Sequence, residues 1–133
     1  MKTRRLLDSY ALIAFLGKEA GYETVRALLR EAEASGNPLL MNEINVGEVY
    51  YLSAKDRSVR KADEALHLLE ALPLRILGNT FPQVLDAARL KARLPVFYAD
   101  AFALATAIRE QAVLVTGDQE FRAASTLIEI QWL

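Results

Sequence analysis

The stretch 98–121, YADAFALATAIREQAVLVTGDQEF, constrains the fold of this chain more than any other. It joins a helix pattern that is apolar almost all round, from Ala101 to Ile108, to a β-type run at 112–116. A helix with so few polar faces belongs in an interior. Asp100 stands at the start of that helix, and Asp118 follows the strand in the turn Thr116-Gly117-Asp118. An isolated buried charge is very costly, so a carboxylate at the start of a buried helix needs a partner. Two such carboxylates at element boundaries raise the question of a shared metal.

The rest of the chain repeats the alternation. Short apolar runs at 4–7, 38–41, 74–77 and 127–132 read as further strands. Helix patterns fall at 11–16, 22–34, 42–54, 58–72, 81–93 and 121–124, with Ser9, Ser58 and Thr80 as expected N-caps. Brief apolar strands alternating with helices predict an α/β sandwich with a mainly parallel sheet covered on both faces. A chain of 133 residues is expected to form one domain, 1–133, with its own core.

Composition narrows the function classes. No cysteine is present, which excludes disulfides, zinc–thiolate sites and thiol catalysis. The net charge of −1 argues against nucleic-acid binding by bulk charge alone. No apolar run approaches the length of a membrane span. The start MKTRRLL is interrupted by Asp8 and reads as entry to a strand rather than a signal peptide, so a cytoplasmic location and no membrane partner are expected. The segment 17–21, GKEAG, lacks the spacing of a phosphate loop, and no Gly-x-Ser-x-Gly elbow occurs.

Ligands of open α/β sheets bind beyond the carboxyl ends of the strands. Asp8 lies just past the first expected strand and Asp118 just past the strand at 112–116. Asp100 opens the helix before that strand, and Glu48 lies within the helix after the second strand. Four acids from distant parts of the chain are thus candidates for one end of the sheet. Their mutual repulsion raises each pKa, and a divalent cation offsets it. Oxygen-only donors suit Mg²⁺ or Mn²⁺, and such a site suits phosphodiester hydrolysis. Taken singly, each acid has an ordinary structural reading: Asp100 as a helix cap, Asp118 as a turn residue, Asp8 at a strand end, Glu48 in a salt bridge to an arginine. Glu43 is a second acid near Glu48. Glu48 is preferred because Val46 and Val49 flank it, where a solvated acid would be odd.

Four segments carry a family resemblance. They are LLDS at 6–9, NEINVGEVYY at 42–51, YADAFALATA at 98–107 and LVTGDQEF at 114–121. In this order, in a chain of this length, the sequence resembles PIN-domain ribonucleases, and most closely the VapC-type toxins of toxin–antitoxin pairs. The resemblance covers nearly the whole chain. It implies a three-layer α/β/α PIN-like fold and an acidic metal site of Asp8, Glu48, Asp100 and Asp118. It makes Asp8 and Asp100 direct ligands, gives Glu48 a part in positioning or deprotonating water, and has Asp118 bind a second metal or act through water. Ser9 and Thr116 would be supporting hydroxyls. The resemblance further implies an RNA substrate, a homodimer, a cognate antitoxin whose C-terminal segment lies in the active-site groove, and operator DNA bound only through the antitoxin. Two other readings stay open: a catalytically weak PIN-like interaction module in an autoregulatory repressor complex, and a PIN nuclease for RNA processing or DNA with no antitoxin.

Other features have simpler expectations. His67, the one histidine, is expected to be a helix-surface residue. The basic clusters Lys55, Arg57, Arg60, Lys61 and Arg89, Lys91, Arg93 are expected on solvated helix surfaces, with an approach path for RNA phosphates as the alternative. Phe97 and Phe102 are expected in the core, and Tyr50 and Tyr51 at a base, dimer or core contact.

Overall fold

The computed structural model describes residues 2–133. Five strands, β1 (Arg5–Leu7), β2 (Leu39–Asn42), β3 (Leu74–Leu77), β4 (Val113–Thr116) and β5 (Ile130–Trp132), form one sheet in the order β3-β2-β1-β4-β5. Each neighbouring pair is parallel, so the sheet is parallel throughout rather than mainly so. The helices are α1 (Ser9–Leu16), α2 (Tyr22–Ser35), α3 (Glu43–Asp56), α4 (Val59–Glu70), α5 (Phe81–Arg93) and α6 (Tyr98–Glu110), followed by a 3₁₀ helix, Gln119–Ala124.

Successive side chains on a strand point to opposite faces, and the short strands use this to feed two layers. Leu6, Leu40 and Leu114 share one face and meet Ala103, Leu104 and Ala107 of α6, together with Phe121 of the 3₁₀ helix. Leu7, Leu39 and Val115 point the other way, against Ala11 of α1 and Val25, Leu28, Leu29 and Ala32 of α2. Met41 meets Leu12, Val49 of α3 and Leu69 of α4 on the same side. The result is a three-layer α/β/α arrangement. Each fully buried leucine or phenylalanine in it contributes about 1.5–3 kcal/mol relative to exposure. Residues 100–107 of α6 are all buried, as an all-round apolar helix must be.

Several boundaries differ from the sequence reading, each for a local reason. Helix α1 begins at Ser9 and its cap is Asp8, not Ser9: Asp8 Oδ1 accepts from Ala11 N at 2.9 Å, so strand and helix join with no loop. Helix α6 begins at Tyr98, two residues before Asp100, and Asp100 lies in its first turn without capping it. Phe97, expected in the core, is 67% exposed, because the extended segment before α6 turns Val96 inward and Phe97 outward; Phe102 is buried as expected. Helix α5 keeps the expected span, with Thr80 and Gln83 in a reciprocal capping box. No helix of the described residues is long and apolar enough to cross a membrane.

Chain order explains where a site can form. From β1 the chain steps outward through β2 to β3, then returns to the other side of β1 for β4 and β5. The carboxyl ends of β1 and β4 therefore flank the crevice where a doubly wound sheet holds its ligand. Asp8 follows β1 directly, and Thr116 ends β4, one residue before Gly117 and two before Asp118.

Candidate metal centre

Three connections bring acids to this crevice. The first is the junction of β1 and α1, where Asp8 is 1% exposed. Its Oδ2 accepts from Thr116 Oγ1 at 2.5 Å, while its Oδ1 caps α1. Thr116 Oγ1 in turn accepts from Asp118 N at 3.0 Å, so one hydroxyl ties the turn after β4 to the acid after β1. The second connection is α6, which is clamped in place by buried polar groups. Asn42 ends β2, caps α3 through Ile44 N, and donates from Nδ2 to Thr106 Oγ1 of α6 and to Asn79 Oδ1. Asn45 donates to the Ala99 carbonyl, one residue before Asp100, and its Oδ1 is buried without a partner among the described residues. The third is the turn after β4, where Asp118 Oδ1 accepts from Glu120 N at 3.0 Å and starts the 3₁₀ helix.

The outcome for the expected residues is uneven. Oxygens of Asp100, Asp118 and Glu120 lie within 4.8 Å of one another. Asp8 and Glu48 stand outside that tight trio, yet their charges act on it: both push Asp100 up. Glu48 accepts from Ser9 Oγ at 2.5 Å, so its partner is a hydroxyl and not an arginine. Glu43 turns elsewhere and accepts from Asn79 N and Nδ2 at 2.9 and 3.2 Å, which pins α3 to the loop after β3. The structure therefore places Glu48, and not Glu43, beside the other acids.

Glu120 was not legible as a site residue. Its only sequence signal is its place two residues after Asp118 and just before the buried Phe121, and nothing in that spacing marks it as a partner of Asp118 once the strand has ended at Thr116. The tight turn in which Asp118 caps the 3₁₀ helix, accepting from Glu120 N, brings the two residues together. Its Oε2 is buried with no hydrogen-bond partner among the described residues.

Electrostatics follow from this crowding. Asp8 is pushed up to about 7, chiefly by burial; the Thr116 hydroxyl and the Ala11 amide oppose the rise, and the charges of Asp118 and Glu48 add to it. Asp100 is pushed up to about 8, again chiefly by burial, then by a hydrogen bond to Glu120 that needs a proton on Asp100, and then by the charges of Asp118, Glu48 and Asp8. Without a cation, burial first and mutual repulsion second make Asp8 and Asp100 hold protons near neutral pH. A buried carboxylate oxygen without a donor, among oxygen donors only, is what a hard divalent cation satisfies. The residues present fit such an ion.

A model of the PIN domain family matches residues 5–127. The chain belongs to the PIN domain family. No curated protein matches it in sequence. Solved structures share its fold. A chain of the DNA-bound VapBC complex from Salmonella typhimurium is 18% identical, with 98% of each chain covered and a TM-score of 0.78. A chain of the Rickettsia felis VapBC complex bound to a promoter DNA fragment is 17% identical, covering 97% of this chain and 98% of that one, with a TM-score of 0.77. The Mycobacterium tuberculosis VapC toxin that cleaves the sarcin-ricin loop is 18% identical, covering 90% and 94%, with a TM-score of 0.72. At such identities the likeness is one of fold. Within this PIN domain, His67 is exposed on α4, faces Glu70 at 3.9 Å, and is not among the residues of the acidic trio. Arg60 and Lys61 pair with Glu64 of their own helix, and Arg89 with Asp86 of its own.

Proposed function

We propose that this PIN domain is a metal-dependent endoribonuclease acting as the toxin of a VapBC-type pair, in the cytoplasm and as a single domain over 1–133. The observation that carries the reading is the convergence of Asp100, Asp118 and Glu120 at the crevice between β1 and β4, with Asp8 and Glu48 coupled to them. A carboxylate cluster built at the cost of mutual repulsion serves little purpose in a protein that never binds a cation. Asp100, Asp118 and Glu120, with Asp8, would hold Mg²⁺ or Mn²⁺. When bound, such a cation lowers the pKa of its water and offsets charge on a phosphodiester. The chain's own part is to aim the donors. Thr116 orients Asp8 and the Asp118 backbone. Ser9 orients Glu48, which is set to receive a proton from the attacking water. The choice of RNA and of a toxin role is supported by the fold shared with VapC and VapBC chains.

The VapBC complexes among these relatives support a cognate antitoxin partner; a homodimer, an antitoxin C-terminal segment in the groove, and operator DNA bound only through that antitoxin are further parts of the proposal. The test is cleavage of purified cellular RNA with Mg²⁺, Mn²⁺ or chelator, beside Asp100→Asn. Discrete metal-dependent products that vanish in the variant are expected. A protein that binds neither metal nor RNA would instead be an interaction module. A cleaving protein whose gene has no small antitoxin-like neighbour would be an RNA-processing nuclease.

A further inference from the structure

One aromatic at the crevice has no structural duty that accounts for its placement. Tyr10 follows Asp8 and Ser9 on the first turn of α1 and is 41% exposed. Its ring lies against Gly117, the residue between Thr116 and Asp118. A Cβ built on Gly117 would stand 2.3 Å from Tyr10 Cε1 and 2.6 Å from Cζ, well inside any real contact. Gly117 therefore admits this ring at this spot; its backbone is not in the left-handed region that would otherwise explain a glycine. No side-chain hydrogen bond ties down the Tyr10 hydroxyl among the described residues, and the ring belongs to none of the core clusters. An aromatic braced from beneath by a glycine turn, with its outer part in solvent, sits between the two segments that carry Asp8 and Asp118.

We propose that Tyr10 is a substrate-positioning residue: its ring stacks on the base of a nucleotide next to the phosphodiester presented to the acids. This rests on the nuclease reading above. The chain carries a net charge of −1, and Arg60, Lys61 and Arg89 face acids of their own helices, so phosphate attraction alone gives little hold on RNA. Every base has a π-face, and stacking on an aromatic needs no cation. A ring held against a rigid turn loses little freedom on stacking, so the contact favours one register of the chain over its neighbours. The base must be unpaired to offer its face, which selects single-stranded or looped RNA.

The test uses a single-stranded RNA of about twelve nucleotides that the wild-type protein cleaves once, and compares Tyr10→Ala, Tyr10→Leu and Tyr10→Phe. Thermal melting checks that each variant folds. Tyr10→Phe is expected to behave as wild type. Tyr10→Leu keeps apolar bulk on Gly117 but has no π-face, and it is expected to match Tyr10→Ala, with KM raised on the order of ten-fold and kcat little changed. An abasic nucleotide is then placed at each position flanking the cleaved bond. At one position the abasic RNA should be insensitive to Tyr10→Ala, because the stacking partner is already gone. A Tyr10→Leu protein as good as wild type, or abasic losses that add to the Tyr10→Ala loss at every position, overturns the assignment while leaving the nuclease reading intact. Absence of any RNA cleavage by the wild type removes both, and so is told apart.

Discussion

Thr116 carries one hydroxyl and uses it twice, donating to Asp8 and accepting from the Asp118 amide. Thr116→Val keeps the shape but leaves a buried carboxylate and a backbone N–H each short of a partner. It is expected to destabilise the fold by about 1–3 kcal/mol in urea unfolding and to weaken metal binding, whereas Thr116→Ser should stay near wild type. Asp100→Asn behaves in the opposite way. Asparagine keeps the size of the protonated acid and can donate to Glu120 at every pH, so the metal-free variant is expected to melt higher than wild type at pH 8 while showing no cleavage. A lower melting temperature at that pH would mean that burial and the neighbouring acids do not disfavour the charged form of Asp100. At this scale the sequence was partly readable. Asp8, Glu48, Asp100 and Asp118 could be named because each sits at a boundary or among apolar neighbours. Glu120 could not, since its approach to Asp118 and Asp100 depends on the capping turn after β4, which the sequence does not mark.

At the scale of elements, most of the chain was legible because binary patterns and caps agree. Thr80, Ser58 and the strand at Leu74–Leu77 fall where propensity puts them. The misplacements cluster at the crevice. Asp8 takes the capping role assigned to Ser9, which frees Ser9 to reach Glu48. The start of α6 moves to Tyr98, which puts Asp100 inside the helix and away from solvent. Local propensity competes there with a functional demand for buried charge, and tertiary context wins. Helix α4 yields a prediction of small effect. Arg60 and Lys61 are exposed and both reach Glu64, pairs worth little in water. Arg60→Ala combined with Lys61→Ala is expected to leave RNA affinity and its salt slope unchanged; a slope lower by about 2 would put both residues on the phosphates.

Across the whole molecule, fold and charge are linked through protons. Asp8 and Asp100 keep their protons to about pH 7 and 8 in the folded chain, against an ordinary 3.8. The folded state therefore binds more protons than the unfolded one across that interval. The stability these groups contribute is fully present below pH 3.8 and is lost as pH rises through about 7 and 8. Metal-free protein is accordingly expected to melt lower at ~pH 8.5 than at ~pH 5, and Mn²⁺ should raise the melting temperature far more at the higher pH, since binding displaces those protons. The all-parallel sheet makes this possible: its chain reversal at β1 and β4 brings residues more than a hundred positions apart to one crevice. A mainly parallel sheet was implied by alternating strands and helices, but the reversal, which depends on which strand neighbours which, was not, because short apolar strands carry no register of their own.

The measurement closest to the central claim is calorimetric titration of the chain with Mn²⁺ at pH 8, run on wild type and Asp100→Asn, with RNA cleavage followed in the same samples. Saturable binding with proton release in the wild type, discrete RNA products that appear only with metal, and loss of both in the variant are expected. Metal binding and cleavage that survive unchanged in Asp100→Asn would contradict it.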